Sequence, residues 1–159
     1  MARMLEFKWI SSLQTLVHID IDAVLFHDEA LRLVSSPSWT RALMEMRADH
    51  LRYILELNDH IEQLGGDRVH IEISADLCEF HGFTRLHPGM SPRDFLAALV
   101  EGEQITRSHY AHALQEAWAL ELHALLARNF ADERQHLFRM LSAALEWLEE
   151  GDARPRPDA

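Results

Sequence analysis

The chain has little of what many small folds use to fix their shape. It holds one cysteine, Cys78, in 159 residues, so no intrachain disulfide forms and a reducing compartment is expected. Only 6 Gly and 5 Pro interrupt it. Val and Ile are sparse beside Leu and Ala, which favours helix over sheet. Basic residues are few: 15 Lys and Arg against 26 Asp and Glu leave a formal net charge of -11. That balance argues against nucleic acid and anionic membrane surfaces as partners. No stretch is long and apolar enough to span a membrane, and Met1 to Lys8 lacks the apolar core of a signal peptide. A cytoplasmic location is expected. A Gly-rich phosphate loop, a Gly-x-Ser-x-Gly elbow and a Cys-x-x-Cys pair are all missing.

What is present is helical periodicity, at a length that suits one domain. Met1 to Ser11 reads as a short lead-in. Ser11 or Ser12 then caps a first helix running to about Val34. Its apolar stripe is Leu13, Leu16, Val17, Val24 and Leu31, with Asp20 and His27 in the same phase. Pro37, in the link Ser35 to Ser38, starts the next helix. That helix runs from about Trp39 to Leu64, with the stripe Leu43, Met46, His50, Tyr53, Ile54, Leu57 and Ile61. Gly65-Gly66 supplies its stop. Asp67 to Ser91 has no clear period, apart from a short helical stretch around Ser74 to His81. A loop of that length has a task, here a crossover along the bundle. Ser91-Pro92 opens a third helix with the stripe Leu96, Leu99, Glu103, Thr106, Tyr110, Leu114 and Ala117. No proline interrupts 93–149, and one helix over that run would be roughly 87 Å long. A break is therefore expected near Trp118 to Glu121. The fourth helix carries Leu122, Leu126, Asn129, Glu133, His136, Leu137, Met140, Leu141 and Ala144, and Gly151 ends it.

Each of the four stripes carries a potential ligand near its middle: Asp20, His50, Glu103, and the pair Glu133 with His136. The last two form Glu-x-x-His, one turn apart on one face. Burying a lone carboxylate costs several kcal/mol unless it is paired or bound to a metal. Acids and imidazoles on facing stripes, with almost no inward Lys or Arg, point to a cation. Oxygen with imidazole suits iron or manganese, with zinc possible. Tyr53, Tyr110 and His27 read as hydrogen-bonding neighbours or plain core. Asp20 with His50, and Glu133 with His136, also make sense as core pairs without metal.

This pattern resembles the ferritin-like superfamily, and within it the rubrerythrin-like and bacterioferritin-like proteins. In that family the first and third helices each give one acid, and the second and fourth each give Glu-x-x-His. Asp20, Glu103, Glu133 and His136 stand at matching positions. Helix two departs, with His50 and Tyr53 where the motif would fall and Asp49 beside the stripe. The resemblance implies an all-α ferritin-like four-helix bundle with a long crossover between helices 2 and 3. It spans about Leu13 to Glu149, within a single domain, 1–151, that is followed by a solvated tail, 152–159. It implies iron in a mono- or dinuclear site built from Asp20, His50, Glu103, Glu133 and His136. The matching activity is ferroxidase- or peroxidase-type oxidation of iron(II) by oxygen or peroxide. The second expectation is a bundle that has lost its metal and works as an interaction or stress-associated protein. A homodimer is expected in either case.

Overall fold

The computed structural model describes residues 2–71 and 82–149. Four helices are present: α1 (Ala2–Leu33), α2 (Pro37–Gln63), α3 (Pro92–Ala113) and α4 (Leu120–Glu149). The described residues contain no strand, and none of their helices is long and apolar enough to cross a membrane. The expected short helix around Ser74 to His81, Cys78, the stop at Gly151 and the tail 152–159 lie outside the described residues.

The caps fall where the small polar residues and glycines stand. Ser36 and Ser91 accept from the backbone N–H groups of Trp39 and Asp94, each followed by proline in the first turn. At the far end of α2, Gly65 takes φ +81. Its N–H donates to Glu62 O, and that of Gly66 donates to Ile61 O, the two bonds of a Schellman stop.

Two boundaries differ from the sequence reading. α1 begins at Ala2 rather than near Ser12. The Ser12 hydroxyl donates to Glu116 instead of capping. Trp9 stacks on Trp118 and donates to the Ala117 carbonyl. Ile10 lies so close to Gly66 that a Cβ there would meet it at 2.7 Å. α3 stops at Ala113, ahead of the expected break, and the Trp118 indole N–H donates to the Ala113 carbonyl at 2.7 Å. Contacts with the segment after α3 hold the start of α1, and a local bond from Trp118, itself stacked on Trp9, closes the end of α3.

α1 and α4 each pack against α2 and α3. Asp28 with Arg47 and Gln14 with the Asp67 carbonyl run α1 and α2 antiparallel. His27 with Glu103 and Ser12 with Glu116 do the same for α1 and α3. Arg41 with Glu146 and Arg139 with Asp49 pair α2 and α4. So α2 and α3 point the same way from opposite corners. The chain leaves α2 where Val69 and Asn58 exchange hydrogen bonds, and enters α3 at the other end, where Phe95 meets Trp39 edge-on.

The core is two apolar clusters. One holds Leu13, Val17, Leu57, Ile61 and Leu126; the other holds Phe26, Leu43, Met46, Leu99 and Met140. Between them lie buried polar side chains from all four helices: Asp20, His27, His50, Glu103, Glu133 and His136. One phase differs from expectation. Leu141 was counted with the inward stripe but stands outward, 53% exposed, while Leu125 and Ala143 face in.

Candidate metal centre

The polar layer exists because four helices each interrupt an apolar stripe at the same height. His50 enters from α2, Glu103 from α3, and Glu133 and His136 from α4. Each of the four offers one ligand atom, and those atoms lie within 4.8 Å of one another. Nitrogen and oxygen bind such ions at about 2.0–2.2 Å, so ligands on one ion sit up to about 4.4 Å apart. Closing the group around an ion takes a shift of a few tenths of an ångström. This buried cluster can bind a metal ion.

The histidines are oriented from behind. Asp20 Oδ1 accepts from His50 Nδ1 at 2.9 Å, and Asp20 Oδ2 accepts from the Tyr110 hydroxyl at 2.6 Å. Asp49 Oδ2 accepts from His136 Nε2 at 3.0 Å, and also from Arg139 at 2.8 Å. Glu103 receives His136 Nδ1 on Oε2 at 2.9 Å and His27 Nε2 on Oε1 at 3.1 Å. Carboxylates holding the second nitrogen of each imidazole are the usual outer partners of metal-bound histidine. Gly102 makes room beside Glu103: a Cβ there would meet the Phe26 ring at 2.8 Å and Phe83 at 3.1 Å. Those rings wall the site on that side.

Three ligand atoms of the group, all buried, make no hydrogen bond; the nearest opposite charges lie at 3.9 Å (His50 Nε2 to Glu103 Oε1), 3.6 Å (Glu133 Oε1 to His50 Nδ1) and 3.7 Å (Glu133 Oε2 to His136 Nδ1). Buried polar groups left without a hydrogen bond are rare and costly. The Tyr53 hydroxyl, edge-on to the His50 ring, is also buried without a partner.

The charges follow from the packing. Burial pushes the Glu133 carboxyl up, and Glu103 adds to this against the pull of His50 and His136; the result is about 7. Burial alone would raise Glu103 too, but the bonds from His136 and His27, with the His50 ring 3.9 Å away, hold it well below the usual range. Burial opposes charge on His50, yet the Glu133 charge, the bond to Asp20 and the nearby Glu103 carboxylate prevail and lift it to about 10. His136 is likewise lifted against burial, by Asp49, Glu103 and Glu133, to about 12. Burial lowers His27 despite its bond to Glu103. The chain without metal thus carries two imidazolium groups amid its carboxylates.

Four of the five residues singled out from the sequence meet in one group. The fifth, Asp20, sits behind His50. His27 and Tyr110, read from the sequence as neighbours, hold Glu103 and Asp20. Asp49 was seen only as a substitute acid and instead braces His136. Arg52 and Glu56 lie off the inward stripe of α2. In the structure Arg52 joins Asp132 and Asp49, and Glu56 joins Arg128 of α4, so these pairs line the α2–α4 seam outside the site. Their signal was a charge on α2 matched by an opposite charge on α4, which is visible only once the two helices are known to be neighbours. Comparison with protein-family models, curated proteins and solved structures gave no match.

Proposed function

We propose that this chain is a ferritin-like metal-binding protein that holds one iron or manganese ion in its polar layer. The observation that carries this reading is the set of orphaned atoms, Glu133 Oε1 and Oε2 and His50 Nε2, within a group whose ligand atoms converge. A cation satisfies all three once His50 gives up its Nε2 proton. Two carboxylates and two imidazoles suit iron(II) or manganese(II), with zinc as the third choice. One ion fits better than two, because Asp20 and Asp49 are already committed to the imidazoles.

Such an ion supplies one-electron exchange with oxygen or peroxide. The chain's own residues supply the rest. Glu103 and Glu133 balance the charge of the cation. His50 and His136 are fixed in ring orientation by Asp20 and Asp49. Tyr110 keeps Asp20 directed at His50. The two apolar clusters keep bulk water from the layer. The opposite-end exit from α2 and entry to α3 support the lengthwise crossover that belongs to this reading.

A second reading is a metal-free bundle. The bonds of 2.9 Å between Asp20 and His50 and between Glu103 and His136 favour it, since they pair charges without an ion. Elemental analysis of chain purified without chelator, followed by anaerobic titration with iron(II) and manganese(II), separates the two. The metal reading expects about one ion per chain and a raised melting temperature, because a ligand that binds only the native state stabilises it. Both effects vanish in Glu133→Ala. Metal content unchanged by that substitution sinks the site. No metal and no thermal shift moves the conclusion to the second reading.

A further inference from the structure

The outer face of α4 has a regularity that the bundle does not use. Phe138, Leu141, Leu145 and Leu148 are 62%, 53%, 64% and 67% exposed, at spacings of three, four and three. The same phase runs back through Arg134, Ala131, Ala127 and Ala124 to Leu120, itself 87% exposed. This is a heptad seam along the helix, on the face turned away from Glu133 and His136. Its C-terminal half is large and apolar; its N-terminal half is three alanines and an arginine.

A seam divided in this way complements its own reverse. Set antiparallel about a two-fold axis at the level of His136, the large residues from Phe138 to Leu148 of one copy meet small or flat ones of the other. Leu148 falls on Ala124, Leu145 on Ala127 and Leu141 on Ala131. Arg134, which has no ion pair among the described residues, falls on the face of Phe138, a favourable cation–π position. A parallel pairing sets Arg134 on Arg134 and leucine on leucine instead. The flanking residues at the centre of the seam, Gln135 and Ser142, are uncharged, and only Glu121 and Glu149 at its two ends bring like charges near each other. The four large side chains expose on the order of 500 Å² per copy, within the range of the largest patch on a typical monomer, which is often functional. With the alanines and the flanks included, the seam approaches the roughly 800 Å² that a specific interface takes from each partner.

We infer that the outer seam of α4 binds a second copy of this chain, antiparallel, with the leucines of each helix over the alanines of the other. The polar layer lies on the opposite face of α4, so pairing leaves it intact.

Sedimentation and oxidative cross-linking test this. The native chain is expected at twice 18.4 kDa. Leu141→Glu with Leu145→Glu is expected at half the native mass with unchanged helical circular dichroism, since both side chains are exposed. In a Cys78→Ser background, Ala131→Cys with Leu141→Cys is expected to cross-link copies on mild oxidation, while Leu145→Cys alone is not. A native chain that is monomeric at micromolar concentration overturns the inference. So does a dimer that survives both glutamates, or cross-linking by Leu145→Cys alone, which reports parallel pairing.

Discussion

Glu133 is where binding and stability pull apart, and the Glu133→Gln substitution measures how far. In the metal-free chain its buried carboxyl keeps its proton to about 7, against the usual 4.5 that holds in the unfolded state. At 1.36 kcal/mol per pH unit, the ionised form destabilises the fold by about 3 kcal/mol. The sign follows from proton counts. Between pH 4.5 and 7 the unfolded chain has released this proton while the folded chain keeps it, so the Glu133 contribution falls as pH rises. Glutamine copies the neutral acid at every pH. Native and variant chains, both freed of metal, should therefore have similar stability near pH 5. At pH 8 the variant should be the more stable, by about 3 kcal/mol or roughly 6–12 °C in melting temperature for a chain of this size. Urea unfolding at the two pH values is the assay. Metal reverses the order: added iron(II) or manganese(II) should raise the native midpoint, by about 2.7 kcal/mol at a hundredfold excess over Kd, and leave the variant where it was. A variant less stable than the native chain at pH 8 refutes the reasoning. It would show that both Glu133 oxygens are partnered and that the group is a structural ion pair.

Three further outcomes are expected. Metal binding should release between about two and three protons per ion at neutral pH, because His50 and His136 are protonated up to about 10 and 12 and Glu133 up to about 7 in the free chain and ligands must give up their protons; calorimetry in buffers of different ionisation enthalpy counts them, and zero release contradicts ligation through these rings. Asp20→Asn should weaken metal binding by about 10–100-fold while leaving the helical spectrum unchanged, as expected when an outer partner of a ligating histidine is lost; competition with a chelator gives the figure, and unchanged affinity removes Asp20 from the site. Gly102→Ala drives a methyl group into the Phe26 and Phe83 rings and should destabilise the fold by about 1–3 kcal/mol, read by urea unfolding; an unshifted midpoint means that the rings yield freely.

Much of the layer was legible because a polar residue in phase with an apolar stripe is expensive to bury. His50 between Met46 and Tyr53, and Glu103 between Leu99 and Thr106, announce themselves in this way, and the structure buries both. Spacing says which residues face inward but not which atom meets which. Asp20 and His50 were equal candidates in the sequence, and only the 2.9 Å bond between them separates the group behind from the group in front. Asp49 was illegible for a related reason. It sits a helical step off the stripe and acts through Arg139 and His136 of another helix. The start of α1 and the end of α3 depend on Trp9 meeting Trp118 across more than a hundred residues, and no cap marks either.

The misjudged phase of Leu141 carries the most information. α4 has two stripes, and a single-stripe reading must misassign residues at their margins. The inner stripe is apolar where the cores are and polar at Glu133 and His136. The outer stripe is apolar where solvent should prefer charge. Solvent does not account for a heptad of leucines, just as a core does not account for a glutamate without a hydrogen bond. Each departure calls for a partner, and the two partners differ in kind. On the inner face the partner must be charged, since two carboxylate oxygens and a ring nitrogen are left without a hydrogen bond. On the outer face it must be apolar and shaped to alternate large with small. The same helix, running the other way, meets that requirement.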